Sequence, residues 1–479
     1  MLRFIRRHWI LCLILTLVLY VAVGAVAPFI VYKTAENASQ ISLEDPAVFG
    51  EDQTADRVML LETNQSAWTE RIRLLDQAQD RIILSTFDMR PDESTQDILS
   101  IIQKKADQGV SVRILVDGFS GLVRMENSKL FHAVAAHPNV EIRLYNPINL
   151  LTPWTTQGRM HDKYVIVDDL AYILGGRNTF DYFIGEYDTT NNSYDREVLV
   201  YNTKCGTEES SVSSLHEVEA YFESVWNLDV CRPFHDDEAL LGETQIQEWC
   251  RSLSEREKNL EERYGELFQP PDYVNMTHET EGICLLSNPT DIYGKEPVVF
   301  QQLTDLMIQA QERVIIHTPY SVLNKDMREK LTEVADQVPD TRLVINSVEN
   351  GDNFFASSDY QYNKQKVIDT GLQLYEYDGG TSYHAKSIVI DDDISIIGSY
   401  NLDLRSTYVD TELMLVIKSE GLTQELLAYM DQIQQDCRKV INRTEYEVPE
   451  HVTVAEVPAY KRILWKVVGF LMQPLRVLV

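Results

Sequence analysis

The chain is short of positive charge. Its 43 Lys and Arg stand against 74 Asp and Glu, a formal net charge of −31 over 479 residues. Proteins that track polyphosphate backbones usually present a basic surface, so this balance argues against nucleic acid as a partner and leaves room for a local cationic pocket. Cysteine is scarce as well, six residues with no zinc-type spacing. In an oxidising compartment Cys205 and Cys231 are the first candidates for a bridge, Cys250 with Cys284 is a weaker pair, and Cys437 is left over; Cys12 lies in an apolar run.

That apolar run is the one stretch long enough to span a bilayer. From Trp9 to Tyr32 no residue carries a charge, and Pro28 follows "AVA" where a signal peptidase would cut, so residues 1–33 read as an uncleaved anchor. Arg3, Arg6 and Arg7 against a lone Lys33 put the N-terminus in the cytoplasm and the rest of a single-pass protein outside the cell membrane. Residues 34–56 are acidic and polar and read as a stalk. Residues 446–479 include "YKRILWKVVGFLMQPLRVLV", basic and Trp-bearing, which suits a helix lying in the membrane interface and broken at Pro474; a terminal helix docked on the core is the alternative.

Between these ends one pattern occurs twice. "HDKYVIVDD" places His161, Lys163 and Asp168 at the spacing HxKxxxxD, and "HAKSIVIDD" repeats it with His384, Lys386 and Asp391. A given His meets that spacing by chance with a probability on the order of a few per thousand. On a strand of period two the His and Lys share a face, whereas the Asp seven residues on points away and is expected to anchor the hairpin. Each copy continues through an acidic turn and a second β-rich run to a small-residue pair and an Asn, Gly176 to Asn178 in one case and Ser399 to Asn401 in the other.

The repeat extends upstream. "AQDRIILSTF" (78–87) answers "AQERVIIHTP" (310–319), "GVSVRILVDG" (109–118) answers "DTRLVINSVENG" (340–351), and "NVEIRLYNP" (139–147) answers "GLQLYEYDG" (371–379). Amphipathic segments such as "STQDILSIIQKKADQ" lie between them. Alternating strands and helices predict an α/β fold in two related halves, residues 57–234 and 271–445, joined by a charged helical connector at 235–270.

Phosphodiester chemistry needs a nucleophile, a proton donor for the leaving alkoxide and cations around the developing oxyanions. Two His, two Lys and two Asn around one phosphate supply these roles without a metal or cofactor. Asp195 in "YDREVLV" and Glu412 in "DTELMLVI" each open an apolar strand after a motif, where a carboxylate can hold the second nitrogen of an imidazole. Ser399 is a candidate for a hydroxyl contact to substrate. Arg159 and Arg405 flank the motifs and are candidates for substrate or ion-pair contacts.

These paired motifs resemble the phospholipase D superfamily, and "GRMHDKYVIVDD…GGRN" with "YHAKSIVIDD…GSYNLDLRS…TELMLVI" is most similar to bacterial cardiolipin synthases and their relatives. The resemblance implies mixed sheets flanked by helices, two halves packed about a pseudo-two-fold axis, and one shared active site in a single chain. It implies that His161 forms a phosphohistidine and that His384 protonates the leaving alcohol, with Lys163, Lys386, Asn178 and Asn401 on the phosphate oxygens; the residues themselves fit the reverse order equally. A phosphatidyltransferase acting on phosphatidylglycerol or a similar phospholipid is the first reading. The alternative is a phosphodiesterase that gives the same intermediate to water, acting on phospholipid or nucleic acid.

Overall fold

The computed structural model describes residues 7–36, 39–45, 48–49, 54–187, 189–454 and 457–479. Arg3 and Arg6, on which the orientation reading leans, and part of the stalk lie outside the described residues.

In the first half the strands are β1 (Asp56–Leu61), β2 (Arg81–Thr86), β3 (Ser111–Asp117), β4 (Val140–Tyr145), β5 (Tyr164–Val167), β6 (Ala171–Gly175), β7 (Ser193–Tyr194), β8 (Glu197–Asn202) and β9 (Cys231–Pro233). All but β7 form one sheet in the order β1-β8-β6-β5-β2-β3-β4-β9. The second half contains β10 (His278–Glu279), β11 (Gly282–Ser287), β12 (Arg313–His317), β13 (Asp340–Asn346), β14 (Gln373–Tyr377), β15 (Ser382–Tyr383), β16 (Ser387–Ile390), β17 (Ile394–Gly398), β18 (Leu413–Lys418), β19 (Cys437–Val440) and β20 (Tyr446–Glu447). Its sheet runs β11-β18-β17-β16-β12-β13-β14-β19-β20, so the order of the first half's eight strands is reproduced from β11 to β19, with β20 added at the edge.

Among the described residues of the two large sheets, only β2-β3-β4 and β12-β13-β14 pair in parallel. Of these, β2 and β12 are buried on both faces and carry almost no alternation, as in "RIILST" and "RVIIH", whereas the more peripheral β4 and β14 alternate buried with half-buried residues. Their crossover helices are amphipathic. Glu93–Asp107 buries Ile98, Leu99, Ile102 and Ala106, and Lys325–Gln337 buries Met327, Leu331 and Val334 behind an Asn324 cap that accepts from the Met327 N–H.

Each half has an apolar cluster of its own on its outer side. A third cluster is shared: Tyr172, Leu174 and Val198 of the first sheet and Ile397, Leu415 and Ile417 of the second meet there, with helices Leu215–Trp226 and Glu420–Gln435 packed alongside. Burial of that seam fixes the relation between the halves, as it would between subunits of a dimer.

Four details depart from the sequence reading. The His–Lys pairs precede β5 and β16 rather than lying on them, because Gly175 and Gly398 bond back to the Lys163 and Lys386 carbonyls and the ladder stops there. The connector is not a free solvated helix: Thr244–Arg263 buries Ile246, Leu253 and Leu260, and Arg256 pairs with Asp97 and Glu93 of the first half. Strand β10 adds to β1 of the first sheet, ahead of the second half's own sheet. All six cysteines are free. Cys231 points into the core and bonds the Val225 carbonyl while Cys205 is exposed, and Cys250 sits on the connector helix while Cys284 lies in β11, which removes both anticipated bridges.

At the N-terminus, the helix Trp9–Val26 has no buried residue and is apolar and long enough, to Phe29, to cross a membrane. Its far end reaches the body: Tyr20 donates to the Leu151 carbonyl and Tyr32 stacks on Tyr408 at 4.6 Å. The C-terminal helix Ala459–Leu471 is docked on the core, the alternative reading of this segment. Trp465 and Gly469 dock on the helix Phe354–Ile368, where Gly469 is required because a Cβ would lie 2.3 Å from the Ser358 carbonyl. Tyr460, Ile463, Val467, Phe470 and Leu471 remain exposed on the opposite face.

Candidate active site

The segments carrying His161 and His384 reach across the seam between the halves. Met160 bridges Thr411 in parallel, with the Thr411 N–H donating to the Arg159 carbonyl and the His161 N–H to Thr411 Oγ1. On the other side β7 pairs with β15, and the His384 N–H donates to the Tyr194 carbonyl at 2.6 Å. Each seam ends one residue before an imidazole and one residue before a carboxylate of the opposite half.

The acceptors are therefore exchanged. His161 Nδ1 lies 2.9 Å from Glu412 Oε1, and His384 Nδ1 lies 2.6 Å from Asp195 Oδ2. Both carboxylates are fully buried, and both rings retain access to one cavity of about 300 Å³. Asn178, Asn401 and Arg405 line the same cavity, with Phe87 and Tyr320 edge-on to the two imidazoles at 5.4 and 6.2 Å between centroids. Lys163 and Lys386 are buried behind the histidines, each donating to the carbonyl of its own His.

The electrostatics of the two pairs differ. Burial raises the proton affinity of Glu412 more than Lys163, Ser399 and Ser406 lower it, and its pKa rises to about 8. Burial acts on Asp195 as well but is outweighed by Lys386, His384 and Arg177, which hold the carboxyl well below its usual range. Burial, then Lys163, pushes His161 well below the ordinary imidazole pKa; burial and Lys386 push His384 down too, with Asp195 opposing. Lys163 falls to about 7, again chiefly through burial.

The small-residue pairs account for part of this. A Cβ on Gly176 would lie 2.2 Å from Asp195 Oδ1, so only glycine leaves room for that carboxylate. At the matching place Ser399 donates to Glu412, as does Ser406 at 2.6 Å. Ser399 is thus a holder of Glu412, correcting its anticipated contact with substrate: its hydroxyl turns away from the cavity. Arg159 is corrected likewise. Its guanidinium is buried against Asp117 and the Asn146 carbonyl and does not line the cavity. Arg405 lines it, but its charge is paired with Asp410 and it donates across the seam to Gln157.

Asp168 and Asp391 lie apart from the cavity, in the β5–β6 and β16–β17 turns at φ of 48° and 52°. Each accepts three consecutive backbone N–H groups, from Gln79 to Arg81 and from Gln311 to Arg313, at 2.7–3.0 Å. They tie the turn to the entry of β2 or β12, a wider attachment than the hairpin alone. Asn178 Oδ1 accepts from the Asp88 N–H, whereas Asn401 Oδ1 has no hydrogen-bond partner among the described residues.

Sequence reasoning missed Ser406, Phe87 and Tyr320. A signal existed for the rings, since they sit at and just beyond the C-terminal ends of the repeated "AQDRIILSTF" and "AQERVIIHTP" segments, where ligands gather in open α/β sheets. Ser406 had none beyond lying in "NLDLRS".

Two halves of one topology, meeting at a paired His–Lys–Asn cavity, define a phospholipase D-type enzyme. Residues 72–226 and 303–434 match the family model described as "Cardiolipin synthase, PLD-like domain", and the chain belongs to that family. Cardiolipin synthase C of Escherichia coli (strain K12) is 25% identical over 419 residues, covering 78% of this chain and 84% of its own. An uncharacterized protein of Helicobacter pylori (strain ATCC 700392 / 26695) is 23% identical over 471 residues, covering 86% and 88%. Among solved structures, phosphatidylserine synthase of Haemophilus influenzae Rd KW20 has the same fold, with a TM-score of 0.63 at 17% identity over 93% of this chain and 98% of that one.

Proposed function

We propose that the protein is a membrane-anchored phosphatidyltransferase that moves a phosphatidyl group between phospholipid alcohols, with phosphatidylglycerol as donor and acceptor. The observation that carries this is the exchanged pairing of His161 with Glu412 and His384 with Asp195 around one cavity. Similarity to proteins named cardiolipin synthase supports the lipid class.

His161 attacks phosphorus through Nε2, and the oxygen of the departing alcohol takes a proton from His384. In the second half-reaction His384 removes a proton from the incoming alcohol, whose oxygen displaces His161. Asp195, ionised, stabilises an imidazolium at His384 as the acid requires. Glu412, drawn toward neutrality, stabilises one less at His161, which favours a neutral nucleophile. Lys163 and Lys386 supply positive charge behind the site, and Asn178 and Asn401 donate to phosphate oxygens. The helix Trp9–Val26 anchors the enzyme with its N-terminus cytoplasmic, so that catalysis occurs at the outer face of the cell membrane.

The purified full chain is incubated with labelled phosphatidylglycerol in mixed micelles. Cardiolipin plus glycerol is the expected outcome; phosphatidic acid alone would mark a hydrolase, and cleavage of single-stranded DNA with no lipid turnover would overturn the reading. Acid-labile label trapped on the His161 peptide after a short quench is expected, and label on His384 instead would reverse the two roles.

A further inference from the structure

A second cavity, of about 520 Å³, lies between the β19–β20 edge of the second half and the C-terminal helix. It shares no lining residue with the reaction cavity. Among the described residues four cations line it, Arg438, Arg443, Arg462 and Lys466, against the one carboxylate of Glu349. In a chain with a net charge of −31 such a concentration is not the average surface.

Arg438 is already balanced, since it pairs with Glu376, Glu349 and Asp378 and stacks on Tyr446 at 4.5 Å. Arg443, Arg462 and Lys466 form no ion pair among the described residues. Arg462 is nevertheless held in place, donating twice to the Val457 carbonyl at 2.9 and 3.2 Å. Trp465 is buried on the floor, and past Lys466 around the same helix Ile463, Val467 and Phe470 are exposed. A cationic hollow beside an exposed apolar helix face matches a molecule with an anionic head and an apolar body.

We propose that this cavity is an accessory binding site for the phosphate headgroup of an anionic phospholipid, whose acyl chains lie along the exposed face of Ala459–Leu471. It rests on the membrane reading of the proposed function and is independent of the reaction itself. A phosphodiester brings one negative charge and two acceptor oxygens to Arg462, Lys466 and Arg443, while its glycerol portion meets Trp465 and Tyr446.

The test uses the full chain carrying His161→Ala, so that no lipid is consumed, in nonionic detergent micelles doped with phosphatidylglycerol bearing brominated acyl chains. The fluorescence added by Phe470→Trp, on the exposed face where the acyl chains lie, is expected to be quenched, at a lipid fraction at least about tenfold lower than for brominated phosphatidylcholine. The triple variant Arg443→Gln, Arg462→Gln, Lys466→Gln is expected to lose that preference. Lys204→Gln, Lys325→Gln, Lys330→Gln, which removes the same charge elsewhere, is expected to keep it. Equal quenching by both lipids, or an equal loss in both triple variants, would overturn the proposal. So would binding of millimolar inorganic phosphate to the parent but not to the Arg443, Arg462, Lys466 triple variant, with no lipid quenching in either, which would make the site one for free phosphate. Because the readout is taken on an inactive variant, failure of the transferase reading leaves this result unaffected.

Discussion

The two halves of the chain carry the same His, Lys and Asn beside equivalent strands, yet they offer each other different carboxylates. The first half lends the second a short Asp195, given room by Gly176 and held ionised by Lys386, His384 and Arg177 against the pull of burial. The second half lends the first a longer Glu412, supported by Ser399 and Ser406 and raised toward neutrality by burial. A duplicated scaffold thus reaches two unlike imidazoles through one methylene and one Gly-to-Ser exchange. Separation of proton affinities between like groups is how paired acids and bases divide their work.

The comparison breaks most completely at the imidazoles. His161→Ala and His384→Ala are each expected to lower turnover by about ten-thousand-fold, and retained activity in either would refute a shared site. Next come the acceptors, where the halves should differ. Asp195→Asn is expected to lower kcat by about a thousandfold and Glu412→Gln by about a hundredfold, measured on the same lipid; equal losses would erase the asymmetry. Smaller again is the exchange of the small residues. Gly176→Ser displaces Asp195 and should approach the Asp195→Asn value, whereas Ser399→Gly removes one hydroxyl from Glu412 and should cost about tenfold.

Stability sharpens the contrast further. Asp168→Ala and Asp391→Ala should each lower unfolding stability by about 1–3 kcal/mol in denaturant melts while leaving KM unchanged, since both are anchors remote from the cavity. Glu412 has an ordinary pKa of 4.5 and is raised to about 8 in the folded chain. The folded state therefore holds the proton more tightly, and the contribution of this group is lost as pH rises between those values. Glu412→Gln lacks that loss, so its stability relative to the parent should improve from pH 5 to pH 8 in paired melts.

The doubled HxKxxxxD and the repeated strand segments made the α/β halves legible, because period and spacing are local properties that a sequence displays directly. Strand parity anticipated Asp168 and Asp391 away from the cavity, but the structure reaches that placement otherwise: both lie in turns, and the His–Lys pairs precede the strands on which the parity would act. The exchange of acceptors was not: Asp195 and Glu412 each follow their own motif closely in sequence, and only packing across the seam assigns each to the other half. Arg159 and Ser399 misled because adjacency along the chain says nothing of which way a side chain turns once Asp117 or Glu412 competes for it. The connector helix was underread because its apolar positions are few and its charges, such as Arg256, find partners on another element.

The parallel ladder of Ser193–Tyr194 with Ser382–Tyr383 is only two residues long. It stands immediately before Asp195 and His384, so its alignment sets the spacing between acceptor and ring much as a gauge block sets the gap in an instrument. A slip by one residue would turn every following side chain over. Inheritance follows from that tolerance: an insertion in either strand is felt in both copies of the repeat, and two segments 189 residues apart must drift together or not at all.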